Sequence, residues 1–297
     1  MVSKTYKNIT ISNFKNYELL DTGDGEKLEK FGEIITIRPE PQAIWGKRLK
    51  ESQWNKQAHV KFVSKSSSSG IWNKLKPNVP ETWYLTYNNN ALKLKFKLAL
   101  TNFKHVGIFP EQSDNWDFIS NSVKRLQKPK ILNLFAYTGG ASLAAKQSGA
   151  DVTHVDSIKQ VVTWARNNME LSNLDNIRWI VEDAMKFIKR AERRKEVYQG
   201  IIFDPPAYGH GPKGESWKLE RDLKELIKAV LNVLDKKNHF LVLNTYSLNL
   251  SPMVLDNLLT DYINFDTSME LGEVYIKSST EQLLPLGNYA RLQKFSS

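Results

Sequence analysis

Cysteine is absent from all 297 residues. That excludes disulfides, cysteine-held zinc and any thiol nucleophile of the chain's own, and it fits a reducing compartment. Histidine is scarce. His105, His154, His210 and His239 are scattered without metal-ligand spacing, so no metal site is expected. No run of about 18 apolar residues exists, which argues against a membrane-spanning helix. Residues 1–10 carry no apolar stretch of the kind a signal peptide needs, so a cytoplasmic location is the expectation. Acidic side chains are thin in the first third. Residues 1–110 hold 9 Asp and Glu against 18 Lys and Arg, a net charge of +9, whereas residues 111–297 hold 23 against 24. Such asymmetry points to a module that meets a polyanion, RNA above all, although a merely solubilising surface has the same composition.

What is present supports a packed protein. Hydrophobic residues make up 41% and aromatics 11%, too much for a disordered chain, and the length suits two domains. The first third reads as β-rich, with strands expected over residues 17–21, 33–38, 59–63, 83–87 and 92–100, and a loop over the serine-rich residues 64–70. In the last of these strands Leu92, Leu94, Phe96 and Leu98 alternate with Lys93, Lys95 and Lys97. Period two places the apolar set on one face and the lysines on the other.

A helix is expected over 116–126, and from about residue 130 the rhythm changes. Strands over 131–137, 152–156, 177–181, 200–204 and 240–246 alternate with helices over 141–149, 159–171, 184–195, 217–235 and 252–263. Alternation of this kind means βαβ units around a parallel, doubly wound α/β sheet. Segments 273–278 and 289–295 are expected to add a final hairpin. The division that follows is a small β-rich domain over 1–104 and an α/β domain over 105–297.

In such sheets ligands sit beyond the carboxyl ends of the strands. The first strand ends in Phe135, Ala136, Tyr137, Thr138 and Gly139, and this turn carries Gly139-Gly140 in place of GxGxxG, which counts against a dinucleotide site. The second strand ends at Asp156, followed by Ser157. Two carboxylate oxygens match the two hydroxyls of a ribose, and a helix N-cap is the other reading. The third runs into Glu182-Asp183, where Asp183 reads either as an acceptor for an adenine amino group or as an N-cap. The fourth gives the sharpest signal, Asp204-Pro205-Pro206-Ala207-Tyr208. The proline pair stiffens the turn and leaves carbonyls without N–H groups. Asp204 is placed to hold a donor near the reacting centre, and Tyr208 to stack on a planar base. Residues 207–215, rich in glycine, read as a flap over the site. The basic run 189–195 reads as a solvated helix face, with phosphate contact as the other possibility.

Taken together, residues 105–297 resemble the class I methyltransferases of the ribosomal-RNA large-subunit methyltransferase I and K type. The resemblance rests on Asn133 to Gly139, Val155-Asp156-Ser157, Trp164 to Asn168, Glu182-Asp183, Phe203 to Tyr208, Leu284-Pro285 and the upstream Gly107 to Gln112. It implies a Rossmann-like sheet with an antiparallel last strand and S-adenosylmethionine as cofactor. Tyr137, Thr138 and Gly139 would line the methionine part, flanked by Phe135 and Ala136. Asp156 would meet the ribose and Asp183 the adenine, with Ser157 among the cofactor-binding residues and Gln112 beside them. Asp204, Pro205, Pro206 and Tyr208 would face the methyl acceptor.

Three departures qualify what carries over. The first 100 residues do not look like the RNA-binding domain usual in that family. Members that methylate a pyrimidine carbon use a cysteine after the fifth strand, where this chain has Thr245-Tyr246-Ser247, so covalent activation through cysteine is excluded. Ala207 separates the proline pair from Tyr208, unlike the amino-group methyltransferases. The expected function is methylation of an RNA of ribosomal type. The alternatives are a methyltransferase of a small molecule or protein, and a non-catalytic binder of an adenosine ligand.

Overall fold

The computed structural model describes residues 2–11, 14–66, 69–89, 91–211, 214–246 and 250–296. In chain order it begins with β1 (Val2–Tyr6), β2 (Ile9–Thr10), β3 (Tyr17–Gly23), β4 (Glu26–Phe31), β5 (Ile34–Pro39), α1 (Glu51–Gln57), β6 (Val60–Ser64), β7 (Gly70–Lys74), β8 (Thr82–Asn88) and β9 (Lys93–Ala99). A 3-10 turn at Pro110–Gln112 leads into α2 (Ser113–Lys124). Then follow β10 (Lys130–Leu134), α3 (Gly140–Gln147), β11 (Asp151–Asp156), α4 (Lys159–Leu171), β12 (Ile177–Val181), α5 (Ala184–Arg193) and β13 (Gly200–Phe203). The chain closes with β14 (Tyr208–His210), β15 (Ser216–Lys218), α6 (Leu219–Val233), β16 (His239–Thr245), α7 (Pro252–Thr260), β17 (Thr267–Lys277) and β18 (Leu283–Lys294).

Two compact units result. One comprises Met1–Ile9, Asp114–Val274 and Gly287–Ser297, and the other Thr10–Ser113 with Tyr275–Leu286.

The first unit holds a sheet in the order β1-β17-β18-β16-β13-β10-β11-β12. From β10 the chain winds outward through β11 and β12, then returns to the other flank of β10 for β13 and β16. All these neighbours are parallel. β18 runs antiparallel to β16, so the sheet is doubly wound with an antiparallel last strand, as expected. β13 and β16 are buried along their whole length, as strands covered on both faces must be. The first strand is shorter than its apolar run, ending at Leu134, because Phe135 and Tyr137 adopt left-handed backbone with φ of 53° and 50°. The helix expected from 217 begins at Leu219, since Ser216–Lys218 pairs with Tyr208–His210 as a small hairpin. The amino end adds an edge strand that its charged pattern hides: β1 lies parallel to β17, with Lys4 Nζ 2.6 Å from Asp256.

In the second unit β3-β4-β5-β6-β7 form one sheet and β8-β9 a separate two-stranded ribbon. β4, which the sequence reading passes over, has buried charge. Glu29 accepts hydrogen bonds from Tyr17 Oη at 2.8 Å and Arg38 Nε at 2.7 Å, and Lys27 Nζ lies 3.1 Å from Glu40. Burial alone would raise the Glu29 carboxyl, but Arg38 and Lys27 outweigh it and hold the group below its ordinary range. Asp24-Gly25, with φ of 50° and 74°, makes the tight turn joining β3 to β4.

Candidate functional site

The site grows from the place where the winding reverses. β10 and β13 are adjacent, Leu134 opposite Phe203, so their carboxyl ends open side by side. Beyond Leu134 the chain makes a turn with three left-handed residues, Phe135, Tyr137 and Gly139. Such backbone costs roughly 1–3 kcal/mol per non-glycine residue and persists only where neighbours over-determine it. The neighbours are visible. The Ala136 N–H donates to Val155 O at 3.1 Å, and the Tyr137 N–H to Asp156 Oδ2 at 2.9 Å. From α4, Asn168 Nδ2 donates to Thr138 O at 3.0 Å. A side chain on Gly139, at φ 93°, would press on Ala165 Cβ at 3.2 Å. Beneath the turn, Asn133 Nδ2 donates to Ser142 Oγ at 2.9 Å, and Ser142 Oγ meets His154 Nδ1 at 3.0 Å. Burial pushes His154 down to about 3, so this imidazole stays neutral.

Asp156 ends β11. Its Oδ1 accepts the Ile158 N–H at 3.0 Å, while Ile158 itself is the N-cap of α4. Both carboxylate oxygens thus accept backbone bonds, from Tyr137 and Ile158, and the Ser157 backbone N–H adds a third. Burial raises the Asp156 carboxyl above its ordinary value, against the opposing hydrogen bonds. Ser157 Oγ reaches toward His210 O at 3.5 Å. Beyond β12, Asp183 caps α5 by accepting the Lys186 N–H at 2.9 Å. Beside it Glu182 holds Arg190 through two bonds of 2.5 and 2.6 Å. Lys186 pairs with Glu215 of the segment after β14.

At the end of β13, Asp204 is half-buried and burial alone pushes its carboxyl up to about 7. Trp217 Nε1 donates to Pro206 O at 2.6 Å, so one of the two prolyl carbonyls is committed within the fold. The same indole lies 5.1 Å from the Phe135 ring, tilted by 54°. One side chain therefore braces the tips of both β10 and β13. Trp217 falls at the start of the helix expected over 217–235, outside the expected site residues, and an indole 11 residues after a proline pair is the only signal it leaves in the sequence. Tyr208 is 69% exposed and sits on the hairpin opposite Lys218.

Phe135 to Gly139, Asp156, Ser157, Asp183, Asp204 to Pro206 and Tyr208 thus all fall in the first unit, on neighbouring strand ends or the segments just beyond them. Gln112 belongs to the second unit, where its N–H donates to Phe109 O at 3.1 Å. The flap expected over 207–215 is in part the stem of the hairpin, and its Pro212 and Lys213 lie outside the described residues, as does Ser247 of the Thr245-Tyr246-Ser247 run. Among the described residues no group of three or more His, Asp or Glu side chains is placed to hold a metal ion, and no helix is long and apolar enough to cross a membrane.

The pattern of a family of S-adenosylmethionine-dependent methyltransferases matches residues 52–256. A ribosomal RNA large subunit methyltransferase K/L from Shewanella frigidimarina (strain NCIMB 400) is 31% identical over 154 residues, 50% of this chain and 21% of that protein. The chain thus spans about a fifth of the length of that relative. The crystal structure of a SAM-dependent methyltransferase from Agrobacterium tumefaciens superposes with a TM-score of 0.91 at 34% identity, covering 98% of this chain and 95% of that one. A further methyltransferase structure, complexed with SAH, has a TM-score of 0.72 at 19% identity over 95% of this chain and 76% of that one. A sheet wound outward from β10, an antiparallel β18 and a family pattern covering most of the chain lead to one conclusion: this protein belongs to the S-adenosylmethionine-dependent methyltransferases, with S-adenosylmethionine as its cofactor.

Proposed function

We propose that the chain methylates RNA, with the β-rich unit that holds Thr10–Ser113 gripping the nucleic acid and the unit that holds the parallel sheet carrying the transfer. The observation that carries the RNA reading is the placement of charge: nearly all of the +10 net charge lies in the first 110 residues. A polyanion with acceptor atoms in its bases is the substrate class that matches a basic module joined to a methyltransferase. The ribosomal RNA methyltransferase likeness over half the chain supports the same class.

The residues at the strand ends fit the cofactor. The Asp156 carboxylate, already fixed by Tyr137 and Ile158 at the end of β11, is the acceptor for the ribose hydroxyls. Phe135 to Gly139, fixed in a left-handed turn, lines the methionine part, with Ser157 among the cofactor contacts. Asp183 uses Oδ1 as a helix cap and takes the adenine side. When bound, S-adenosylmethionine supplies a methyl carbon on a positively charged sulfur, already strongly electrophilic.

The chain's own task is then alignment and exclusion of water. Pro205 and Pro206, stiffened by the Trp217 bond, fix the direction in which an acceptor approaches. Asp204, poised near 7, is a proton donor to a ring carbonyl in its neutral form and takes a proton from an amine or hydroxyl in its ionised form. A ring nitrogen needs no base. An acceptor in folded RNA must be turned out of its stack, and Tyr208 is the ring it would lie against. No cysteine takes part.

The test is transfer of labelled methyl from S-adenosylmethionine to extracted total RNA, with an RNA-free protein and metabolite fraction in parallel. Label in RNA that nuclease releases supports the reading. Label confined to the RNA-free fraction overturns it.

A further inference from the structure

The β8–β9 ribbon has two unlike faces. Trp83, Leu85 and Tyr87 of β8, with Leu94, Phe96 and Leu98 of β9, are buried. Trp83 Nε1 donates to Phe31 O at 3.1 Å and Asn16 Nδ2 to Thr86 O at 2.9 Å, tying the ribbon to its own unit. The opposite face carries Tyr84, 53% exposed, with Lys93 and Lys95 exposed and Lys97 half-buried.

Register sets these groups in order. Lys93 faces Asn88, Lys95 faces Thr86 and Lys97 faces Tyr84. Across the strands the three lysines thus share one face with Asn88, Thr86 and Tyr84. No Asp or Glu occurs anywhere between residues 82 and 110. Alternate residues of an antiparallel strand recur every ~6.8 Å, so the lysines form a straight row of positive charge. Lys95 Nζ lies 5.2 Å from the centre of the Tyr84 ring, which puts an aromatic plane within the row.

A row of cations beside an exposed ring matches an unpaired nucleic-acid strand: phosphates track the charge while a base stacks on the ring. A duplex keeps its bases stacked and offers no such plane. We propose that the outward face of this ribbon is a docking strip for single-stranded RNA, with Lys93, Lys95 and Lys97 receiving backbone phosphates and Tyr84 stacking on a base. This rests on the RNA reading above and gives it a place and a mode.

The experiment measures binding of a fluorescein-labelled single-stranded oligouridylate by anisotropy across a salt series, using the full chain. Its comparisons are K93Q/K95Q/K97Q, K93R/K95R/K97R and Y84A, with calorimetric affinity for S-adenosylhomocysteine as the check on folding. The glutamine variant should bind at least tenfold more weakly at low salt, and its slope of log K against log salt should flatten by about 2, as expected when three phosphate contacts are lost. The arginine variant should bind like the parent, and Y84A should lose roughly fivefold or more. Cofactor affinity should be unchanged in all three. If the parent binds no RNA at low salt, both the RNA reading and the strip fall. If the parent binds and the glutamine variant matches it in affinity and slope, the strip alone is overturned. Equal binding to polyglutamate, lost in the same variant, would make it a general acidic-protein surface and would also overturn it.

Discussion

The Asp156 carboxylate holds the Tyr137 backbone: Oδ2 accepts the Tyr137 N–H at 2.9 Å, across the gap between two neighbouring strand ends. Tyr137 is left-handed at φ 50°, so the acid at the end of one strand fixes an unfavourable turn at the end of the next. The turn and the acid are therefore one device, and several consequences can be measured.

The turn should tolerate little change at Gly139. Alanine there would hold φ 93° against its preference and press on Ala165 at 3.2 Å. Gly139→Ala should lower unfolding free energy by about 1–3 kcal/mol in urea melts and weaken cofactor binding. A variant with unchanged stability and affinity would show the turn is not constrained as described.

Asp204 makes a prediction about pH. Its folded value of about 7 lies above the ordinary 3.8, so between these values the folded state binds more protons than the unfolded one. Stability from this group is fully present below about 4 and is lost as pH rises through about 7, by at most about 4 kcal/mol. Asp204→Asn should remove that decline and be more stable than the parent at pH 8, while cofactor affinity is spared. The rate of methyl transfer should show an inflection near 7 that the asparagine variant lacks. Parallel stability–pH curves for the two proteins would contradict this.

Trp217 braces two strand ends, and its two contacts separate by substitution. Trp217→Phe keeps a ring near Phe135 and loses the bond to Pro206 O, an expected cost of about 1 kcal/mol. Trp217→Ala loses both, an expected 3–5 kcal/mol. Because the bond stiffens the proline pair, the phenylalanine variant should lose turnover more than cofactor affinity. Equal stability of the two variants in thermal melts would show that the indole braces nothing.

Not every cation of the basic unit belongs to an RNA grip. Arg38 is buried against Glu29, with Nη2 at 2.6 Å. Arg38→Leu should destabilise by about 3–5 kcal/mol, since it strands a buried carboxylate. Salt dependence of RNA binding should stay that of the parent wherever the variant is folded.

Much of this was legible in the residues, for identifiable reasons. Strands covered on both faces read as unbroken apolar runs, so Ile201 to Phe203 and Phe240 to Leu243 announce themselves. β9 reads correctly because period two sorts Leu94, Phe96 and Leu98 from the lysines. β4 stays hidden because Lys27 and Glu29 point inward into a charge network, and hydropathy has no means to anticipate a pair that exists only after folding. The Asp24-Gly25 turn was the available clue. In the site, carboxylates at strand ends stand out by position, whereas the roles of Trp217, Asn168 and His154 depend on contacts between segments distant in sequence.

Asp156, at the end of β11, is the proposed anchor of the cofactor. Calorimetric titration of S-adenosylhomocysteine into the parent and into Asp156→Ala tests it most directly. The account predicts a loss of at least 100-fold, since charge-assisted bonds of about 1.5–3 kcal/mol each disappear together with the support of Tyr137. A folded Asp156→Ala protein that binds as tightly as the parent would contradict it.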